Sequence, residues 1–341
     1  MSKKRIFSGI RPTGEIHLGN YFGALRNWVR LMEEYDCIYC VVDYHAITTP
    51  FEAKEMPRMV FNTFAALMAA GLDPKQCALL IQSDVPEHTE LAWILSCLAP
   101  LGLMERMTQF KDKSQQTPEN INLGLLAYPA LMAADILVYR ADAVPVGEDQ
   151  VQHLELTRDL ARKFNIAYGE YFPEPQPLLT QTPRIMGLDG KSKMSKTLNN
   201  HISLFEESGV LQSKIMTAVT DENRKRRSDP GDPDVCNIFS LHKIFSTEEE
   251  IGMVNRECRK AGIGCVDCKK ILLGHMQEFI TPFRERYQAL QQNPDQVIDT
   301  AREGAARCRP IAQQTIQAVK THLGLGTHQA VRPCGSRPAG T

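Results

Sequence analysis

The sequence has no long uninterrupted apolar run and almost no net charge. Its longest apolar stretch, residues 123–139, is broken by Pro129 and Asp135, whereas a membrane-spanning helix needs about 20 apolar residues. We therefore expect a buried helix there and no membrane partner. The formal net charge is −1, so a nucleic-acid partner would have to be held by local basic patches and not by a global positive field.

An export signal and internal repeats are also missing. The basic start, Met-Ser-Lys-Lys-Arg, is followed by too few apolar residues for a signal peptide before Arg11 and Pro12. We therefore expect a cytoplasmic protein. Its ten cysteines should accordingly be reduced thiols or metal ligands, and not a disulfide framework.

The order of patterns along the chain predicts two domains. Up to about residue 190, short apolar runs at 5–9, 37–43 and 77–82 alternate with helical patterns. This alternation predicts a doubly wound parallel α/β sheet, which binds ligands at the carboxyl ends of its strands. Helical patterns dominate further on, most clearly at 271–290 and 296–323. We predict a nucleotide-binding catalytic domain at 1–200, a smaller all-helical domain at 201–327 and a disordered tail at 328–341.

A glycine-containing segment, residues 8–20, lies between the first predicted strand and a helix that begins near Leu18. Gly14 and Gly19 permit close backbone approach, and the start of the helix offers free N–H groups to a phosphate. His17 adds a further donor. The segment is neither a Walker loop nor a dinucleotide fingerprint, and a glycine-rich turn with a surface histidine is the alternative interpretation.

A second basic segment, Lys193-Met194-Ser195-Lys196-Thr197, lies in a glycine- and lysine-rich stretch. Lysine suits phosphate binding because it is a flexible point charge. A solvated basic loop is the commoner meaning of spaced lysines. The pairing of this segment with residues 8–20 favours a nucleoside triphosphate held from two sides.

One acidic residue, Asp135, lies inside an apolar helix pattern. A carboxylate in such a setting is costly unless it is paired. Tyr128, Met132 and Asp135 are spaced i, i+4 and i+7 and so share a helix face, which suits a flat apolar ligand carrying a single N–H. An internal aspartate that caps a helix, or is paired with Arg140 or a lysine, is the alternative.

Four cysteines in the predicted helical domain have spacings that suit a metal site: Cys236, Cys258, Cys265 and Cys268. Four thiolates can hold zinc or an iron–sulfur cluster. Cys37 and Cys40 have the same local spacing as the last pair, but in a strand their side chains would point to opposite faces.

Together these motifs resemble those of the bacterial tryptophanyl-tRNA synthetases, which are class I aminoacyl-tRNA synthetases with a Rossmann-like catalytic domain. Residues 17–20 look like the "HIGH" signature of the class, and 193–197 look like "KMSKS", with Thr197 in place of the last serine. Residues 146–150 resemble the family's GEDQ loop, and 132–137 resemble its tryptophan-reading helix. The resemblance covers residues 5–205 closely and the helical part more loosely.

The resemblance implies a reaction and its partners. ATP, with Mg²⁺, and L-tryptophan would form tryptophanyl-adenylate and pyrophosphate, and the aminoacyl group would pass to the 3′ end of tRNA(Trp). A homodimer is implied. The four cysteines are similar to those of relatives that carry a 4Fe–4S cluster, with Zn²⁺ as the alternative. The helical domain at 201–327, which contains these cysteines, would bind the tRNA anticodon. The basic run 224–227 is a candidate tRNA contact, or a solvated loop.

The resemblance also implies roles for individual residues. Phosphate chemistry would involve His17, Lys113, Lys193 and Lys196. Contacts to ATP would come from Arg11, Pro12, Thr13, Gly19, Asn20, Gly147, Glu148, Asp149, Ile185, Lys193, Met194, Ser195, Lys196 and Thr197. The tryptophan site would consist of Asp135, which accepts the indole N–H, and of Phe7, His45, Gln109, Tyr128, Met132 and Gln150. Arg11 departs from the pattern, since many relatives have glutamine there.

Three other functions remain open on the sequence. Tyrosyl-tRNA synthetases share the fold and both nucleotide motifs. A synthetase-derived protein that binds tryptophan or RNA without turnover is a second alternative, although intact His17, Lys193 and Lys196 argue against it. A related nucleotidyltransferase, which would lack a tRNA-binding domain, is the third.

Overall fold

A computed structural model describes residues 3–12, 16–116, 118–147, 150–179 and 185–326 of the chain. Five parallel strands form one sheet in the order β3-β2-β1-β4-β5. They are β1 (Arg5–Ile10), β2 (Asp36–Val41), β3 (Cys77–Ile81), β4 (Ala143–Val146) and β5 (Gln176–Leu179). The predicted parallel α/β sheet is confirmed. β4 and β5 were missed, since each has only four residues and contains a proline.

Helices surround this sheet. They are α1 (Leu18–Asn20), α2 (Arg26–Leu31), α3 (Asp43–Ala46), α4 (Met56–Ala69), α5 (Glu87–Leu98), α6 (Leu101–Met104), α7 (Thr108–Gln116), α8 (Leu123–Leu137), α9 (Val151–Tyr168), α10 (Ser208–Thr217), α11 (Asn237–Phe245), α12 (Glu248–Arg259), α13 (Cys265–Gln292) and α14 (Pro294–His322). A π-helical turn, Tyr21–Leu25, joins α1 to α2, and 3₁₀ turns occupy Gln82–Asp84 and Pro118–Asn120. No helix among the described residues has the length and apolarity needed to cross a bilayer.

Both faces of the sheet are buried, as is usual when helices cover a parallel sheet. In β2, Cys37 and Tyr39 belong to the apolar core on one face, and Ile38 and Cys40 belong to the core on the other. The two cysteines therefore point apart, as their spacing in a strand predicts.

The topology creates a crevice at the central strand. β1 pairs with β2 on one side and with β4 on the other, so the chain connections leave β1 in opposite directions. In open parallel sheets this is where ligands bind, outside the carboxyl ends of the strands. The chain that leaves β1 turns into α1 there, which brings the histidine–glycine motif to the crevice.

The last helix packs directly on the sheet. A Cβ atom at Gly304, in α14, would lie 1.8 Å from the backbone oxygen of Leu79 in β3. Arg307 Nη1 donates to the backbone oxygens of Cys77 (3.0 Å) and Pro74 (2.9 Å). Because β3 is an edge strand, α14 covers an edge that would otherwise have unpaired backbone groups. The division into two domains at residue 200 stays a prediction, and the predicted tail lies outside the described residues.

Candidate active site

A cavity of about 330 Å³ opens beside the carboxyl ends of β1 and β4. Its walls combine apolar side chains with a few polar groups, which is typical of a small-molecule site. All seven residues predicted for tryptophan and some of those predicted for ATP lie together in this wall: Phe7, Arg11, His45, Gln109, Tyr128, Met132, Asp135, Gly147 and Gln150. The shared face of Tyr128, Met132 and Asp135 on α8 is therefore turned to the cavity.

The Asp135 carboxylate is held by three donors. Oδ2 accepts from His45 Nε2 at 2.8 Å, and Oδ1 accepts from Gln82 Nε2 and from His88 Nδ1, both at 2.7 Å. The residue is 1% exposed. Its partners are neither Arg140 nor a lysine, because Arg140 stacks on the ring of Tyr171 instead.

These bonds keep Asp135 ionised. Burial acts to raise the pKa of the carboxyl group, but the hydrogen bonds from His45 and His88 and their electrostatic interaction with the carboxylate outweigh it and lower the pKa to about 2. At neutral pH the cavity wall therefore contains a carboxylate, which can only accept hydrogen bonds. A ligand that reaches this wall is favoured if it donates one.

Polar groups line the cavity beside Met132. The hydroxyl of Tyr128 lies 2.8 Å from His153 Nε2. Arg11 Nη2 donates to Thr49 Oγ1 at 2.9 Å and to the backbone oxygen of Ala46 at 3.4 Å. These bonds anchor one end of the guanidinium, while its Nε is buried without a hydrogen-bond partner. Burial lowers the pKa of Arg11, so an anionic ligand there would be stabilised by an incompletely solvated cation.

The histidine–glycine motif starts a helix through reciprocal capping. His17 Nδ1 accepts from the backbone N–H of Asn20 at 3.3 Å, and Asn20 Oδ1 accepts from the backbone N–H of His17 at 3.2 Å. A Cβ at Gly19 would lie 2.9 Å from the His17 ring, so only glycine fits here without a shift. Because Nδ1 accepts, the neutral ring has its hydrogen on Nε2.

The segment that contains the lysine motif, residues 185–204, passes beside the start of α1. Leu18 N donates to the backbone oxygen of Ile202 at 2.9 Å, and Met194, which is 2% exposed, would be 3.5 Å from a Cβ at Gly19. Burial, His201, Lys196 and Lys193 together lower the pKa of His17 to about 4. The two predicted phosphate motifs therefore adjoin, although they are about 175 positions apart in the sequence.

Asn200 holds the loop in shape. Its Oδ1 accepts from the backbone N–H of Ser195 at 2.7 Å, and its Nδ2 donates to Asp189 Oδ2 at 2.9 Å and to the backbone oxygen of Lys193 at 3.3 Å. A Cβ at Gly187 would lie 2.1 Å from Asn200 Nδ2. The turn is therefore closed around one amide, and Gly187 leaves room for it.

Some predicted site residues lie elsewhere or cannot be described. His17, Gly19, Asn20 and the 193–197 loop do not line the 330 Å³ cavity. Ile185 lines a separate cavity with Phe22 and Lys243. Thr13, Glu148 and Asp149 lie outside the described residues, as does the side chain of Lys113 in α7. Pro12 is buried beside Arg11.

Two of the four predicted cysteine ligands contact the same arginine. Arg224 Nη1 lies 3.8 Å from Cys258 Sγ and 3.9 Å from Cys265 Sγ, and Cys268 Sγ lies 3.3 Å from His242 Nε2. All four, Cys236, Cys258, Cys265 and Cys268, are half-buried. Within the described ranges, however, no group of three or more histidine, cysteine or acidic side chains is arranged to hold a metal ion. Arg224, a candidate tRNA contact, faces these sulfurs instead.

The site also contains residues that sequence reasoning missed. Gln82 and His88 contact Asp135 directly, and Tyr139 contacts His88. Gln82 and His88 follow β3 at its carboxyl end, where ligand-contacting residues are expected, so their position offered a signal. Tyr139 offered none, since its role depends on the way α8 packs against α5.

The fold and the two adjoining phosphate motifs define a class I aminoacyl-tRNA synthetase. Comparison with known proteins agrees, because the family model for tRNA synthetases class I (W and Y) matches residues 2–281. A tryptophan–tRNA ligase from Deinococcus radiodurans is 51% identical over 326 residues, which cover 94% of this chain and 98% of that protein.

Two further relatives agree. A tryptophan–tRNA ligase from Helicobacter pylori is 44% identical over 330 residues, covering 95% of this chain and all of that protein. The crystal structure of tryptophanyl-tRNA synthetase from Campylobacter jejuni complexed with ADP and tryptophan superposes with a TM-score of 0.87 at 35% identity, covering 94% of this chain and 100% of that chain. The chain belongs to the tryptophanyl-tRNA synthetase family.

Proposed function

We propose that this chain joins L-tryptophan to tRNA(Trp) in two steps at the cavity between β1 and β4. The tryptophan carboxylate attacks the α-phosphorus of ATP, the bond to pyrophosphate breaks, and tryptophanyl-adenylate forms. A hydroxyl of the 3′-terminal ribose of the tRNA then attacks the acyl carbon and AMP leaves. The tryptophan–tRNA ligases that are similar over nearly the whole chain support this proposal.

The observation that carries the choice of amino acid is the ionised Asp135 in an otherwise apolar wall. An indole ring has a single N–H and large apolar faces, so it matches one acceptor beside Phe7 and Met132. A site built around a ligand's polar group rejects analogues that lack the group. Tyr128, Gln150, Gln109 and the predicted contact His45 would surround the rest of the amino acid.

Activation of the phosphates needs charge and position, but no covalent intermediate on the enzyme. Lys193 and Lys196, with Lys113, would stabilise the negative charge that develops on departing pyrophosphate. His17 is neutral at pH 7, because its pKa is about 4, and would donate from Nε2. Mg²⁺ would partly neutralise the negative charge of the phosphates. Gly19, Asn20, Gly147 and Ile185 would contact the adenosine part.

The direct test is ATP–pyrophosphate exchange with each of the twenty amino acids, in the wild type and in Asp135→Asn. We expect exchange only with tryptophan, and a loss of about 100-fold or more in kcat/KM in the variant, because a buried site with an unpaired polar group rejects its ligand. Asn20→Ala is the comparison that should impair the nucleotide step and leave tryptophan selectivity intact. Exchange with tyrosine, or none at all, would contradict the proposal.

A 4Fe–4S cluster bound by Cys236, Cys258, Cys265 and Cys268 is part of the proposal. Four cysteine thiolates are the usual ligand set of such a cluster, and the Sγ atoms of Cys258 and Cys265 lie within 4 Å of the same Arg224 Nη1. Burial, with the neighbouring cysteines, raises the pKa of Cys268 to about 12, so this thiol is protonated unless a cation binds. When bound, the cluster would orient the helical region toward tRNA.

Anaerobic purification followed by iron, sulfide and zinc analysis tests this assignment. We expect about four irons and four sulfides per chain, with a brown visible spectrum that Cys268→Ser abolishes and Cys97→Ser, at an exposed cysteine, preserves. Colourless protein with stoichiometric zinc would show that the site binds zinc and not an iron–sulfur cluster. The absence of both would remove the metal from the proposal.

A homodimer and a cytoplasmic location complete the proposal. Large apolar side chains are exposed on two helices that pack together, with Trp93 of α5 at 73% and Leu123 of α8 at 77%. Such exposure is typical of an interface. Charging of tRNA for protein synthesis takes place in the cytoplasm.

A further inference from the structure

Two of the three donors to Asp135 make a second hydrogen bond on the side away from the carboxylate. Gln82 is fully buried, and its Oε1 accepts from the backbone N–H of Tyr44 at 3.1 Å, which turns its Nε2 toward Asp135. His88 is also fully buried, and its Nε2 lies 2.7 Å from the hydroxyl of Tyr139. The contacts from Gln82 and His88 are therefore each the first of two successive hydrogen bonds.

The direction of these bonds follows from chemistry. A carboxylate only accepts, so His88 Nδ1 carries the hydrogen of that bond. In the neutral ring Nε2 is then an acceptor, and Tyr139 donates its hydroxyl hydrogen. Tyr139 remains able to donate, because burial and nearby cysteine and acidic groups raise its pKa far above neutrality. With this assignment, each hydrogen bond of His88 has one donor and one acceptor.

A count of acceptor sites identifies where a ligand can bind. A carboxylate offers about four lone-pair sites. Oδ1 uses two of them for Gln82 and His88, while Oδ2 uses one for His45. The remaining acceptor site is on Oδ2, and Asp135 belongs to the cavity wall. The network leaves capacity for one hydrogen bond from inside the cavity.

We propose that Gln82, His88 and Tyr139 are positioning residues that hold the Asp135 carboxylate with one acceptor site turned to the cavity, and so set the selection for an aromatic ring that carries an N–H. This inference rests on the proposed function, because it assigns the means by which the same site reads tryptophan. None of the three touches the ligand. They act through Asp135, so their effect depends on whether the ligand has an N–H to donate.

A pair of substrates separates selection from folding. L-Tryptophan and β-(3-benzothienyl)-L-alanine have nearly the same shape, but sulfur replaces the ring N–H in the second. The selectivity ratio is kcat/KM for tryptophan divided by kcat/KM for the analogue, both measured by ATP–pyrophosphate exchange. A loss of general stability or of phosphate chemistry lowers both values and leaves the ratio unchanged.

Each variant changes one residue of the network. His88→Leu removes the donor to Oδ1, and we expect the ratio to fall about 10- to 100-fold, through a higher KM for tryptophan, since hydrogen bonds to charged groups have this strength. His88→Asn keeps a donor near the position of Nδ1 and should restore most of the ratio. Gln82→Met also removes a direct donor to Oδ1 and should lower the ratio to the same extent as His88→Leu, whereas Tyr139→Phe removes only the bond behind His88 and should lower it about three- to tenfold.

Tyr39→Phe is the matched control. Tyr39 is a fully buried tyrosine whose hydroxyl donates to the backbone oxygen of Trp28 at 2.8 Å, so its variant loses one buried hydroxyl bond as Tyr139→Phe does. We expect lower thermal stability with an unchanged ratio. If His88→Leu does not fold, Tyr139→Phe and Gln82→Met carry the test.

The outcomes distinguish this inference from the function on which it rests. A high ratio in the wild type that stays unchanged in Tyr139→Phe, Gln82→Met and any folded His88→Leu protein would overturn the positioning role and leave the function standing. An equal fall in kcat/KM for both substrates would also overturn the positioning role, because it indicates a structural role alone. A ratio near one in the wild type would overturn the reading of the ring N–H by Asp135.

Discussion

At the scale of single residues, the site depends on two groups whose charge is set by their surroundings. Asp135 stays ionised because its hydrogen bonds outweigh its burial. His17 stays neutral because it is largely buried and lies near His201, Lys196 and Lys193. The first provides an acceptor and the second a neutral donor, and both states hold at pH 7.

The state of His17 predicts a dependence of stability on pH. Its pKa in the folded protein is about 4, below the ordinary value of 6.5, so the unfolded chain binds a proton more readily. Stability from this group is present above pH 6.5 and is lost as pH falls from 6.5 toward 4. Urea unfolding at pH 7.5 and 5.0 should show a smaller acid-induced loss in His17→Asn than in the wild type. An equal loss would mean that the ring is not neutral.

Sequence reasoning at this scale succeeded where residues share one element. Tyr128, Met132 and Asp135 were placed on one face because helical spacing is local, and the structure turns that face to the cavity. His88 and Tyr139 meet across α5 and α8, and no local period relates them. The structure adds them because tertiary packing decides such contacts.

At the scale of elements, the loop from residue 185 to 204 is the part most sensitive to a small change. Gly187 and Asn200 are in contact, and Asn200 bonds the backbone at Ser195 and Lys193. The lysine motif is thus held by one amide at its centre, and not by a helix or a strand. The sequence indicates a glycine- and lysine-rich loop, but it does not show the closure by Asn200.

Gly187→Ala should disturb this loop without unfolding the protein. The added Cβ would lie 2.1 Å from Asn200 Nδ2, so the bonds of Asn200 must break. We expect about a tenfold rise in the KM for ATP, as two or three hydrogen bonds are lost, with little change in the KM for tryptophan. Gly209→Ala, where nothing lies within 4 Å, is the control. Steady-state exchange kinetics give both constants, and an unchanged KM for ATP would argue against this role.

At the scale of the whole molecule, the helical region and the sheet share a packed interface. The predicted helices near 271–290 and 296–323 correspond to α13 and α14, so their existence could be predicted from the helical spacing of apolar residues alone. Their docking could not, because a glycine in a helix does not reveal which backbone it meets. Gly304 meets the backbone of β3.

Gly304→Ala should therefore destabilise the protein by about 3 kcal/mol, at the upper end of the cost of overpacking, because its neighbour is backbone and cannot rotate away. Gly274→Ala, in α13, has no neighbour within 4 Å. It should raise the free energy of unfolding by about 0.5–1 kcal/mol, since alanine suits a helix better than glycine. Denaturant midpoints measure both changes. If the two variants changed the free energy of unfolding equally, the close contact between Gly304 and β3 would be contradicted.

The cover that α14 provides for β3 has a consequence for biosynthesis. The strand is synthesised well before α14, because Arg307 follows Cys77 by 230 positions. Gly304 and Arg307 therefore leave the ribosome much later than the strand that they cover. Until then the nascent chain has an uncovered strand edge that invites pairing with other chains. We therefore expect premature termination before α14 to yield aggregates, and chaperone dependence to end once the last helix has emerged.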